Sequence, residues 1–151
     1  MKLLATLPLF SLVLAAPRLI PDIKPLAGIL SVKNAKTPEQ LGSGFISYNG
    51  SVSKKIEPHM FFAEKGHVYI QLLGEDGQNA NRLFMGLDAE KKLVMKDYAE
   101  TNVKIIEDIH CKDFFLSANN GGIFQVCEDG LIGHNSGCES TETIEIQWII
   151  Q

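Results

Sequence analysis

Positive charge is scarce in this chain, cysteine more so, and no long hydrophobic run occurs beyond the first residues. Against 14 Lys and Arg stand 18 Asp and Glu, a net charge of −4. That balance supplies no broad basic face, which excludes nucleic acid and anionic membrane surfaces as natural partners. Three cysteines are too few for a disulfide-dense miniprotein. There is no phosphate loop, no CxxC or HxxxH pair and no metal-binding repeat, so neither cofactor nor metal is expected. His59, His67, His110 and His134 lie far apart, and Gly42-Ser43-Gly44 lacks the frame of a nucleophile elbow. Glu128-Asp129, the nearest thing to a carboxylate pair, reads as a solvated Asp-Gly turn, and His134 reads as exposed in a Gly- and Asn-rich loop. No catalytic residue is assigned, and an enzyme is not expected.

What is present suits one domain with a core: 151 residues, 45% hydrophobic, with eight Phe, three Tyr and one Trp. Met1-Lys2, the apolar run from Leu3 to Leu14 and the small residues Ala15 and Ala16 have the layout of a secretory signal peptide. A helix over that run would cross only about 18 Å of a membrane core about 30 Å thick. The expected division is a signal peptide at 1–15, an extended leader at 16–41 and an all-β domain at 42–151. The product is expected to be secreted, extracellular or wall-bound, without a membrane span or a GPI signal.

Secretion gives the cysteines meaning. Between Cys127 and Cys138 lie Gly130, Gly133 and Gly137, so the loop closes readily and a Cys127–Cys138 disulfide is the expected bridge. Cys111 is left over, either as a buried thiol packed like a small hydrophobe or as one half of an intermolecular disulfide. Asn49-Gly50-Ser51 is an N-glycosylation sequon, with Asn49 the acceptor.

Beyond Gly42 the hydrophobic period is two. Phe45 to Tyr48 and Ser51 to Ile56 flank Asn49-Gly50, which predicts a hairpin with a type I′ turn. His67 to Leu72 alternates, with Val68, Ile70 and Leu72 on one face. Arg82 to Leu87, Leu93 to Met95, Asn102 to Ile106, Phe114 to Leu116 and Ile123 to Val126 are further short runs. In the last strand Ile144, Ile146, Trp148 and Ile150 share a face. Thr37 to Leu41 is the one helical candidate, a single turn. Short strands punctuated by turns predict an antiparallel β-sandwich or closed barrel, including a trefoil-like form. No sequence repeat stands out, although Glu75-Asp76-Gly77 and Glu128-Asp129-Gly130 suggest equivalent hairpin turns.

The stretch from Phe114 to Trp148, with Leu87-Asp88-Ala89-Glu90-Lys91-Lys92-Leu93 before it, resembles the C-terminal domain of fungal cell-wall mannoproteins of the PIR family. It is also similar to small wall proteins of the PhiA type. Phe124-Gln125-Val126-Cys127 resembles the family's aromatic-x-x-Cys run, and Gly137-Cys138 its partner cysteine. The family's first cysteine has no counterpart near His59 or Phe61, and its last falls on Gln151, as if one pair were missing and Cys127 and Cys138 were the other. Asp76-Gly77-Gln78 lacks the flanks of the glutamine repeat implicated in glucan linkage. The resemblance implies a non-enzymatic structural protein of the cell wall, with wall polysaccharide or other wall proteins as partners. The alternative is a secreted binding module, lectin-like or effector-like, that recognises glycan or a host protein.

Overall fold

The computed structural model describes residues 26–37, 44–53, 58–77 and 81–151. The signal peptide, the helical turn expected at Thr37 to Leu41 and Gln78 lie wholly or largely outside them. Among the described residues every regular element is a strand: β1 (Leu26–Asn34), β2 (Gly44–Ile46), β3 (Val52–Ser53), β4 (Phe61–Glu64), β5 (His67–Leu72), β6 (Asn81–Leu87), β7 (Leu93–Lys96), β8 (Val103–Glu107), β9 (Phe114–Ala118), β10 (Phe124–Cys127), β11 (Ile132–Gly133) and β12 (Ser140–Ile150).

The all-β antiparallel class is as expected, but the twelve strands form one sheet that does not close into a barrel. Six strands run round a ring in the order β1, β4, β5, β8, β9, β12. Five of its seams are antiparallel ladders, the longest being β1 on β12 from Gly28↔Ile150 to Asn34↔Ile144. The sixth, between β5 and β8, holds no ladder; Ile105 N–H donates to the carbonyl of Gly66 at 2.7 Å beside it. The order is trefoil-like, left open along that seam.

β1 lies inside the span expected to be an extended leader, so among the described residues the sheet already includes Leu26–Asn34, ahead of Gly42. Prolines at 17, 21 and 25 mask a continuous apolar run, Leu26-Ala27-Gly28-Ile29-Leu30, that suits a strand covered on both faces. Gly28 is needed there: a Cβ on it would come 2.5 Å from the Trp148 indole. Leu30, Val32, Phe61, Val68, Ile70, Val103, Ile105, Leu116, Ile146 and Trp148 fill the centre of the ring. Each such side chain contributes about 1.5–3 kcal/mol by leaving water. Ile150 and Leu72, expected on core faces, end up about half exposed, because the strands outrun the core.

Three hairpins, β2–β3, β6–β7 and β10–β11, turn identically. The N–H of Gly50 donates to the carbonyl of Ser47, that of Lys91 to Asp88 and that of Gly130 to Cys127, at 2.9–3.0 Å. One residue on, the N–H of Ser47, Asp88 and Cys127 donates back to the carbonyl of Ser51, Lys92 and Leu131. Gly50, Lys91 and Gly130 have φ of 78°, 61° and 81°. This is a three-residue loop closed by a left-handed residue, not the type I′ turn expected at Asn49-Gly50. The structure thus contains a threefold repeat that the residues conceal. The Glu75-Asp76-Gly77 turn shares the first of these bonds with Glu128-Asp129-Gly130, since the N–H of Gly77, at φ 67°, donates to the Gly74 carbonyl at 2.8 Å, but it lies in the longer connection between the antiparallel strands β5 and β6.

Candidate functional site

The sequence-derived positions fall in three places. Cys127 and Cys138 form a disulfide, with Cα atoms 5.7 Å apart. Cys111 is a free and exposed thiol on the β8–β9 turn, which removes the buried-thiol alternative. Asn49 is exposed at the β2–β3 turn, where its Oδ1 accepts from the Ser51 N–H at 3.1 Å and the Ser51 hydroxyl at 2.7 Å.

His134 is not an exposed loop residue. It is buried, its Nδ1 lies 3.0 Å from the Ile123 carbonyl, and its ring packs on Phe124. Its backbone N–H donates to the Lys91 carbonyl, so it fastens two hairpins together. Gly121 makes the room, since a Cβ there would meet the imidazole at 2.8 Å. Asp129, read as solvated, instead ion-pairs with Lys92 at 2.6 Å. The Lys92 hydrogen bond and the Leu131 N–H hold its carboxyl below the usual range, and Asp129 and Glu90 together raise the Lys92 ammonium. These groups tie the β6–β7 and β10–β11 hairpins; Glu90 and Lys92 line a shallow cleft of about 320 Å³ with Ser136, Gly137 and Cys138, but their charges are already engaged, Lys92 by both Glu90 and Asp129.

A second cleft, of about 200 Å³, is lined by Ile106, Asp108, Phe115, Gly122 and Glu145. It lies on the outer wall of the ring. Alternation along β8 and β9 sends Ile105 and Leu116 inward, so Ile106 and Phe115, opposed in the register, face out side by side. Phe115 also opposes Gln147 on β12, and Glu145 follows on the same face two residues away. Asp108 opens the β8–β9 turn. Its N–H donates to the Asp113 carbonyl, its carbonyl accepts from Lys112, and its Oδ1 accepts from the His110 N–H, all at 2.8 Å. Gly122 reaches the rim from the β9–β10 connection, and a Cβ there would meet nothing within 4 Å. Lys33 stands opposite Glu145 in the register, yet no ion pair or hydrogen bond engages Glu145 among the described residues.

The arrangement is an apolar floor flanked by two carboxylates, one held rigidly and one unpaired. None of its residues was singled out from the sequence. The only signal was Phe114-Phe115, an aromatic pair in a period-two strand, one of which must face outward. Among the described residues no group of three His, Cys, Asp or Glu is placed to hold a metal. No helix among them is long and apolar enough to cross a membrane. No family model, curated protein or solved structure matches the chain.

Proposed function

We propose that this chain is a secreted, non-enzymatic protein of the fungal cell wall that associates with wall polysaccharide through the Phe115 cleft. The cleft carries the proposal: a saccharide presents a C–H-rich face that packs on Phe115 and Ile106, and edge groups that donate to Asp108 and Glu145. The likeness to PIR and PhiA-type wall proteins supports the same reading, and the Asn49 sequon, exposed at its turn, would carry an N-glycan in a secreted chain. Exposed Cys111 provides a point for disulfide attachment to other wall proteins.

Fractionation tests this. The protein should stay with washed walls and be released by glucanase or alkali, and a part should be released by reductant in the native chain but not in Cys111→Ser. A protein found entirely in the medium, with no affinity for isolated walls, overturns the proposal. That result would favour the second reading, a secreted module for a protein partner, to which Ile109, 85% exposed beside Cys111, gives an apolar contact point.

A further inference from the structure

We infer that the Phe115 cleft selects a cationic amino-sugar unit, a glucosamine of a partly deacetylated polymer, over neutral sugars. This rests on the polysaccharide reading above and narrows its ligand class.

Size comes first. At about 200 Å³ the cleft is smaller than the roughly 300–1,000 Å³ of pockets that enclose drug-sized ligands. One sugar ring fits that volume, and an open cleft lets the chain of a polymer continue on either side. Shape is next. Ile106 and Phe115 sit across one ladder, so together they make a flat platform in the plane of the sheet. A ring face covers both, whereas a linear alkyl stem covers one.

Charge then decides among rings. A neutral hydroxyl gains little from a carboxylate that water serves equally well. An ammonium donates three charge-assisted hydrogen bonds, is attracted by the aromatic face, and supplies the positive partner that Glu145 lacks among the described residues. Lys33 is the cation opposite Glu145 and leaves it unpaired. Lys104, also on the outward face of β8, carries its charge beside β5, where after burial it is the second cause that lowers the His67 imidazole pKa. The chain's overall excess of acid adds long-range attraction for a polycation. The other cleft offers no such vacancy, because its Lys92 is matched by Glu90 and Asp129.

The test is calorimetric titration of the secreted chain with four probes: a glucosamine oligomer, its fully N-acetylated counterpart of equal length, a β-glucan oligomer and a lysine-rich peptide. The glucosamine oligomer should bind roughly tenfold tighter than the N-acetylated one, with affinity falling as salt rises. Glu145→Gln and Phe115→Ala should each weaken it by roughly tenfold. Gly122→Leu should block the cleft while leaving both carboxylates in place. Unchanged unfolding midpoints show that the variants fold. Equal affinity for the neutral oligomers, or an unaffected Glu145→Gln, overturns the inference while the polysaccharide reading stands. Binding to none of the saccharides overturns both. Tighter binding of the lysine-rich peptide overturns the sugar assignment in favour of a protein ligand.

Discussion

Replacing Tyr69 with Phe should stabilise the protein. Tyr69 alternates with the core residues Val68 and Ile70 and so points to the outer face of β5, yet it is fully buried. Phe62 stacks on it at 5.7 Å between centroids, Phe84 tilts against it at 5.6 Å, and the Arg82 guanidinium lies 4.6 Å from its centre. Its hydroxyl has no hydrogen-bond partner. A buried polar atom left unpaired costs about 1–3 kcal/mol, and Phe keeps every ring contact while removing that atom. The lower end applies, because Arg82 and Glu64, each 39% exposed and ion-paired at 2.6 Å, sit on this face and can move aside to admit water. Tyr69→Phe should therefore gain about 1 kcal/mol, read as a higher urea midpoint at unchanged slope. The gain should also depend on pH. Burial pushes the phenol pKa up; Arg82 opposes this and Glu64 adds to it. A raised pKa contributes stability that is present below the unfolded value and lost as pH rises through the folded one. The variant lacks that loss, so its advantage should widen in alkali. A variant less stable than the parent by more than about 1 kcal/mol would show that the hydroxyl is satisfied and refute the reasoning.

Three further changes test the packing and the hairpin cap. The Cys127–Cys138 bridge closes a separation of 11 residues, and its loss in a double Cys→Ala variant should cost about 3 kcal/mol in guanidinium unfolding. A parent midpoint indifferent to reductant would contradict this. Gly28→Ala forces a methyl into the Trp148 indole and should cost about 1–3 kcal/mol. The chain has one Trp, so a shifted fluorescence maximum should accompany the loss, and an unshifted spectrum with a parental midpoint would mean that the indole has room. In acid, Asp129 and Glu100 should both destabilise the fold when protonated. Burial works to raise the Glu100 pKa, but Lys96 and the Leu87 N–H outweigh it and the net direction is down. Lys92 lowers Asp129. Groups with depressed pKa values stabilise above the unfolded value, and that contribution is lost as pH falls through the folded one. Asp129→Asn with Glu100→Gln should flatten the acid limb of stability against pH, and an unchanged limb would assign it to other carboxylates.

How much of this was legible depended on whether a feature was local. Period-two alternation located most strands after Gly42, because pleating imposes it wherever one face is buried. β1 escaped because a strand covered on both faces does not alternate. The disulfide was legible because its loop is short and glycine-rich. The cleft was not. Ile106 and Asp108 come from β8 and its turn, Phe115 from β9, Gly122 from a loop and Glu145 from β12, and only the seams β8–β9 and β9–β12 bring them together.

The threefold repeat was hidden for a different reason, and it bears on why the cleft lies on the wall of β8 and β9 and not on that of β4 and β5. The three hairpin turns share backbone geometry while their left-handed position is filled by Gly50, Lys91 and Gly130. Glycine fits that position without strain, and Gly50 also needs its bare Cα because a Cβ would meet the Leu93 carbonyl at 2.3 Å. A Cβ on Gly130 would meet nothing, so there glycine answers to conformation alone. Lys91 accepts the strain of its φ, and its carbonyl is the acceptor that holds His134. Backbone symmetry survives because hydrogen bonds between strands constrain the main chain, whereas outward side chains are constrained only by what they meet. On the outer wall of β4 and β5, Phe62 and Tyr69 pair across the register as Ile106 and Phe115 do on β8 and β9. There Phe84 and Arg82 from β6 pack against Tyr69, which stacks on Phe62. Among the described residues no comparable cover closes over Ile106 and Phe115, so the same kind of outward-facing pair that is sealed on one wall lines a cleft on the other.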